Sequence, residues 1–273
     1  MGRALLAALL RTGTPAAALT VGEPHGPTRT ALASELGIAA HADNAPAIAS
    51  ADLILLAVKP QEAIATLHGL RSLLAANKPV LLSVAAGIRC AELIAASGTP
   101  RVVRAMPNRP ALLGVGAAGL FAPPGVDQAA RELAGAVLAA AGTIVWLQDE
   151  DQIDAVTAVS GSGPAYFFLM AEALAAAGVA QGLNAQTARK LAIATLHGAG
   201  VMATHGDGDL ERLRAEVTSK GGTTAAALSV LDAHDGLRRL MADTVAAASL
   251  RSRQLGQAVG SSTNASLESR QKS

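Results

Sequence analysis

The sequence predicts a doubly wound α/β domain followed by an all-helical domain, and three observations carry that expectation. The first half alternates short apolar runs with helix-length segments, the pattern of a parallel sheet covered on both faces. Strand signal stops near Asp149, and every later periodic segment has helix length. Breakers fall where those segments end: Gly13, Gly37 and Pro60 early in the chain, Gly178, Gly206 and Gly236 late, with Pro164 just inside a helix start.

Taken in order, a helix over 2–12 ends at Gly13, and a short buried strand at 18–21 runs into Gly22-Glu23-Pro24. A helix over 28–36 stops at Gly37, a strand follows at 38–40, and a brief helix comes after Asp43-Asn44. The clearest strand is 52–58, broken by Lys59-Pro60. A helix to about residue 75 leads to strand 80–84 and the turn Ala85-Ala86-Gly87. After another short helix, strand 101–105 ends at Met106-Pro107-Asn108, and strands at 115–121 and 143–147 flank a helix. Beyond the boundary, helices are expected over 151–158, 163–180, 184–203, 208–217, 223–234 and 236–255. The division is therefore 1–150 and 151–255, with a Ser-, Gln- and Asn-rich tail over 256–273 expected to be disordered.

Composition narrows the function classes. The 273 residues suit two domains, and 51% hydrophobic residues supply ample core, built from aliphatic side chains because aromatics make up only 2%. Lys and Arg number 22 against 21 Asp and Glu, a net charge of +1, which offers no footprint for nucleic acid or an acidic membrane. The single Cys90 has no disulfide partner, and the six histidines show no metal-binding spacing, so no metal is expected. The apolar start, Ala4–Leu10, is too short to span a bilayer and reads as a helix packed on a sheet. These features suit a soluble, cytoplasmic chain. No G-x-S-x-G elbow occurs, and Gly161-Ser162-Gly163 sits at a helix start without a preceding strand, which argues against a hydrolase.

A doubly wound domain normally opens with a strand, a Gly-rich turn and a helix whose N-terminus faces a pyrophosphate. This chain starts directly on the helix with Met1-Gly2-Arg3, so the first strand of a Rossmann-type sheet is expected to be missing. Gly2 then stands at the end of a G-x-G-x-x-G-like turn. Glu23 lies about twenty residues on, where such domains place the acid that meets a ribose hydroxyl. Three segments gather at strand ends: Ala57-Val58-Lys59-Pro60, Ser83–Gly87 and Arg104–Asn108. Their small residues let a flat ring approach the backbone, and Lys59 can serve ribose or phosphate; ordinary strand-to-helix turns would read the same way. In the helical half, Ser160-Gly161-Ser162-Gly163-Pro164 and Ser219-Lys220-Gly221-Gly222-Thr223-Thr224 each precede a helix and either cap it or expose N–H groups to an anion.

In this order, the segments ADLILLAVKPQ, LLSVAAGI, VRAMPNRPALLGVGAAGL, DAVTAVSGSGPAYFF and EVTSKGGTTAAAL, followed by the Arg251-Ser252-Arg253 helix, resemble pyrroline-5-carboxylate reductases, with the likeness covering nearly all of 2–255. The SGSGPAY and GGTT segments together are its most specific part. The resemblance implies an all-α C-terminal dimerisation domain, a homodimer that can build a ring of dimers, and reduction of a cyclic imine to L-proline by NADPH or NADH. It implies cofactor contacts from Asn44, Ala57, Val58, Lys59, Pro60 and Ala86, to which the strand-end reading adds Gly2, Glu23 and Asn108. It further implies a substrate site of Glu150, Gly222, Thr223 and Thr224, with backbone amides on the carboxylate and the Thr224 hydroxyl on the imine nitrogen.

The chain departs from the family pattern in the missing Gly-rich turn, which is expected to weaken cofactor affinity. Arg109 stands where Thr is usual and Lys220 where Pro is common. Two other readings compete. A related reductase acting on another imine or a β-hydroxy acid would carry a catalytic Lys in the helical half, but Lys190 lacks the G-x-x-x-K context. A chain that dimerises without binding cofactor is the other. Glu23 favours NADH and nearby His25 and Arg29 favour NADPH, so the residues alone leave the cofactor open.

Overall fold

The computed structural model describes residues 1–206 and 208–271, with side chains described through Gln257 apart from residue 207. The chain divides into two compact units, one of Met1–Gly161 together with the chain from Ala248 onward, the other of Ser162–Ala247.

In the first unit a five-stranded sheet runs in the order β3 (Leu53–Leu56), β4 (Val80–Ser83), β5 (Val102–Pro107), β6 (Gly116–Phe121) and β7 (Gly142–Trp146). The β3–β4, β4–β5 and β6–β7 pairs are parallel, but β5 and β6 pair antiparallel, with Met106 opposite Gly119. This corrects the all-parallel expectation. Parallel pairing needs a crossover of a dozen or more residues, whereas the link from Pro107 to Gly116 holds only a short 3-10 turn, Arg109–Leu113.

Alternate strand residues feed two cores. On one face Val80, Leu82, Val103, Ala105 and Leu120 pack with Leu5 and Ala8 of α1 (Gly2–Arg11) and Ala130, Ala134 and Leu138 of α6 (Gln128–Ala139). On the other, Leu56, Leu81 and Val102 pack with α3 (Ala45–Ile48), α4 (Pro60–Asn77) and α5 (Cys90–Ser97). Burying strand residues on both faces is what makes their sequences continuous apolar runs rather than alternating ones.

β1 (Thr20–Gly22) and β2 (Ala39–His41), separated by α2 (Gly26–Leu36), form a parallel two-stranded sheet of their own. The strands thus form two separate sheets, with β1 not hydrogen-bonded to β3. Burial follows the split. All four residues of β4 are buried, while Leu53, Ile54 and Leu55 of β3 remain partly exposed although their sequence is as apolar.

The first unit also contains α7 (Gln152–Val156) and a π-helical turn, Thr157–Gly161. In the second unit α8 (Gly163–Ala180) and α9 (Ala185–His205) form a hairpin around Gly182, whose φ of +99° suits glycine. They approach closely at Gly178, where an added Cβ would lie 3.3 Å from Leu183 and 3.4 Å from Ala188. α10 (Leu210–Glu216), α11 (Thr223–Leu231) and the start of α12 (Gly236–Gln271) complete it. Large apolar side chains of this unit stand open in the single chain, among them Phe168 at 68%, Leu169 at 65% and Val230 at 76% exposure. The run 152–180 is long and apolar enough to cross a membrane by length and composition. It also carries Asp154, Glu172 and Pro164. Of the tail that composition sets apart from Gly256 onward, residues 258–273 lie outside those with described side chains.

Candidate active site

The candidate cofactor residues lie where the strands end. α1 begins at Gly2, and a Cβ there would stand 3.1 Å from the Ala57 Cβ, so the helix N-terminus meets the turn after β3. The first helical bonds are Ala4 N–H and Leu5 N–H to the Met1 carbonyl at 2.9 and 3.2 Å, which leaves the Gly2 and Arg3 amides ahead of the ladder. Next to it, a side chain on Gly22 at the end of β1 would run into Asn44, so Asn44 is seated directly against the β1 turn. Ala57, Lys59 and Ala86 are exposed, and Pro60 opens α4 with Lys59 as its cap residue. Glu23, just past β1, accepts a hydrogen bond from the His25 N–H at 2.8 Å. A helix N-terminus, small exposed residues at neighbouring strand ends and an acid beyond β1 fit a dinucleotide: N–H donors for a pyrophosphate and room for a flat ring.

The turn after β4 is held from above. Gly87 takes φ +79°, and a Cβ on it would lie 3.0 Å from the Gly256 Cα of α12. A hydrogen bond of 2.5 Å from the Ser252 hydroxyl to Asp154 ties the same stretch of α12 to α7.

Asn108 is buried and Glu150 partly so, and each connects distant stretches of the first unit. Asn108, 8% exposed, donates from Nδ2 to the Ser160 carbonyl at 3.0 Å and accepts from the Ala117 N–H at 2.9 Å. It therefore locks the end of β5 to the start of β6 and to the π-helical turn. The Glu150 carboxylate accepts from the Cys90 N–H at 2.8 Å and pairs with the Arg104 guanidinium at 2.8 Å; Arg89 lies 3.7 Å away. That arrangement spans the N-terminus of α5, the middle of β5 and the start of the segment leading to α7. Burial, reinforced by the Glu150 charge, pushes the Cys90 thiol up to about 12. Arg89 is held above its usual range, first by its hydrogen bond to Asp151.

Arg104, grouped by its sequence position with the strand-end segment Arg104–Asn108, pairs instead with Glu150. Its signal was a charge inside the apolar strand Val102-Val103-Arg104-Ala105, because a buried guanidinium requires a carboxylate partner. The contribution of Gly256 had no comparable local mark.

Gly222, Thr223 and Thr224 belong to the second unit. Gly222 caps α11, and its N–H donates to the Ser219 carbonyl at 3.0 Å. The first helical bond runs from Ala226 to Gly222, so the Thr223 and Thr224 amides precede the ladder. Thr224 is partly buried, and its hydroxyl makes no hydrogen bond among the described residues. A helix start of this kind can bind an anion, and the hydroxyl can donate to a nitrogen beside it.

Comparison with known proteins places the chain in a family. Residues 150–255 match the family model for pyrroline-5-carboxylate reductase dimerisation, and residues 1–87 match the model described as NADP oxidoreductase, coenzyme F420-dependent. A pyrroline-5-carboxylate reductase of Pseudomonas aeruginosa is 44% identical over 261 residues, 95% of each chain. The solved structure of a pyrroline-5-carboxylate reductase from Coxiella burnetii superposes with a TM-score of 0.90 at 34% identity, covering 93% of this chain and 94% of that one. The Plasmodium falciparum structure with NADP bound gives 0.77 at 27% identity, with 94% of each chain covered. With a relative 44% identical over 95% of its length and a solved structure superposing on 93% of it, the chain belongs to the pyrroline-5-carboxylate reductase family.

Proposed function

We propose that this chain reduces 1-pyrroline-5-carboxylate to L-proline, working as a cytoplasmic homodimer. The observation that carries the reading is the likeness to a relative of that name along nearly the whole chain. NADPH or NADH, when bound, supplies the hydride. The chain's own task is to hold the imine carbon near it and to provide a proton donor at nitrogen. The Thr223 and Thr224 amides hold the substrate carboxylate, and the Thr224 hydroxyl donates to the imine nitrogen. The Gly222 amide is already engaged by Ser219, so Gly222 contributes its small size and the helix cap. Glu150 and Asn108 serve by positioning. Their polar atoms bind other parts of the chain, Glu150 holding Cys90 beyond the β4 turn and Asn108 the turn ahead of Pro164. Gly2, Ala57, Val58, Lys59, Pro60, Asn44 and Ala86 face the cofactor.

The exposed apolar side chains of α8, α9 and α11 favour a homodimer, because a surface this rich in Phe, Leu and Val is costly to leave in water. Rings of such dimers follow the family habit. The family-model span from residue 150 supports a dinucleotide-binding part followed by a helical substrate and dimerisation part, while the compact division keeps the residues up to Gly161 and those from Ala248 onward with the first part.

The test is imine-dependent loss of NADPH or NADH absorbance with L-proline as product. Absence of turnover with both cofactors would sink the reading. Faster turnover of a β-hydroxy acid or another imine would support the related-reductase alternative.

A further inference from the structure

We propose that the loop after β1 makes this chain prefer NADH, with Glu23 as the residue that disfavours a 2′-phosphate; this rests on the cofactor reading above. β1 ends at Gly22, so Glu23 stands at the strand end, where open α/β sheets meet the adenine-side ribose. The Glu23 side chain is fixed there, because Oε1 accepts the His25 N–H at 2.8 Å. The other oxygen retains its capacity to accept from ribose hydroxyls. NADPH presents a phosphate at that place, replacing a donor hydroxyl with a dianion that faces a carboxylate.

The two nearby groups that could offset this repulsion each turn part of their hydrogen-bonding capacity to the loop itself. Arg29 donates through Nη1 to the Glu23 carbonyl at 2.9 Å and the Pro24 carbonyl at 3.1 Å, strapping the loop to α2. The His25 ring turns back on the start of α2, with Nδ1 2.7 Å from the Thr28 hydroxyl and 3.4 Å from its N–H. Neither forms an ion pair with the Glu23 carboxylate among the described residues. The negative charge therefore stays unpaired at the position that must tell a hydroxyl from a phosphate.

The experiment is calorimetric titration of the full chain with NADH and with NADPH, in the absence of substrate, for the native protein and for Glu23→Gln. Gln keeps an oxygen for the His25 N–H and removes only the charge. The expected result is NADH binding roughly tenfold or more tighter than NADPH, about 1.4 kcal/mol. The ratio should fall to about threefold or less in Glu23→Gln, since the Coulomb penalty goes with the carboxylate. Equal or tighter NADPH binding by the native chain overturns the proposal, as does an unchanged ratio in the variant. In both cases the cofactor reading stands. Binding of neither nucleotide by a folded chain overturns that reading and this proposal with it.

Discussion

The Arg104 guanidinium lies 2.8 Å from the Glu150 carboxylate, and the two side chains are only 8% and 11% exposed. This pair joins β5 to the beginning of the helical segment across a span that contains β6, α6 and β7. Removing one partner from a buried pair strands the other charge, which typically costs about 3–5 kcal/mol. Glu150→Gln keeps an acceptor for the Cys90 N–H, so its effect isolates the charge. Urea unfolding should show a loss within that range, and a loss under about 1 kcal/mol would mean that water solvates Arg104. By contrast, Asp151→Asn should change little, because the Arg89–Asp151 pair is exposed.

Asn108 supplies both a donor and an acceptor to partly buried backbone groups. Asn108→Asp retains the acceptor for Ala117 but turns a carboxylate oxygen toward the Ser160 carbonyl. Leaving a buried carbonyl without its donor costs about 1–3 kcal/mol. The expected readout is a lower unfolding midpoint, together with a greater loss in Asn108→Asp than a surface substitution such as Gln128→Glu produces. Equal stability of the two variants would remove Asn108 from the framework.

Thr224→Ala should lower kcat by roughly tenfold to a hundredfold, the loss expected from one hydrogen bond of about 1–3 kcal/mol made to the reacting nitrogen. Cofactor affinity should stay near the native value, and Thr224→Ser should recover most of the rate. An unchanged kcat in Thr224→Ala rejects the assignment.

Cys90 gives a pH-dependent probe that is clean because it is the chain's one cysteine. Burial raises its thiol to about 12 in the folded chain, against about 8.5 for an unfolded cysteine. Folding therefore favours the neutral thiol. Its contribution is complete below the unfolded value and is lost as pH climbs from there toward 12. A thiol reagent should leave the native protein unmodified at neutral pH and label it only on unfolding, and Cys90→Ala should flatten the alkaline fall in stability. Rapid labelling of the folded chain at neutral pH contradicts the burial.

The split sheet predicts uneven backbone protection. β4 is paired on both sides and wholly buried, whereas β1 and β3 each lie at a sheet edge with partly exposed residues. Amide exchange followed by mass spectrometry should find peptides of β1 and β3 exchanging about tenfold or more faster than those of β4. Matching protection across the three strands would show that both edges are covered in solution.

The sequence by itself determined the alternation of strands and helices, the change to all-helix architecture and the turns at the strand ends. Each of these is a local matter: apolar period, a capping residue, a glycine at positive φ such as Gly87. The family motifs were legible for the same reason, since GGTT and AVKP are contiguous in the chain. Tertiary structure decided the rest. β6 reversed direction because the link before it is too short for a crossover, a limit that apolar pattern does not encode. The partners of Asn108 and Arg104 lie 52 and 46 residues away, Ser160 and Glu150 respectively. A polar residue at a strand end reads the same whether it will face a ligand or the chain's own backbone. Only packing distinguishes the two, by bringing distant donors and acceptors within hydrogen-bond reach and excluding the water that would otherwise satisfy them.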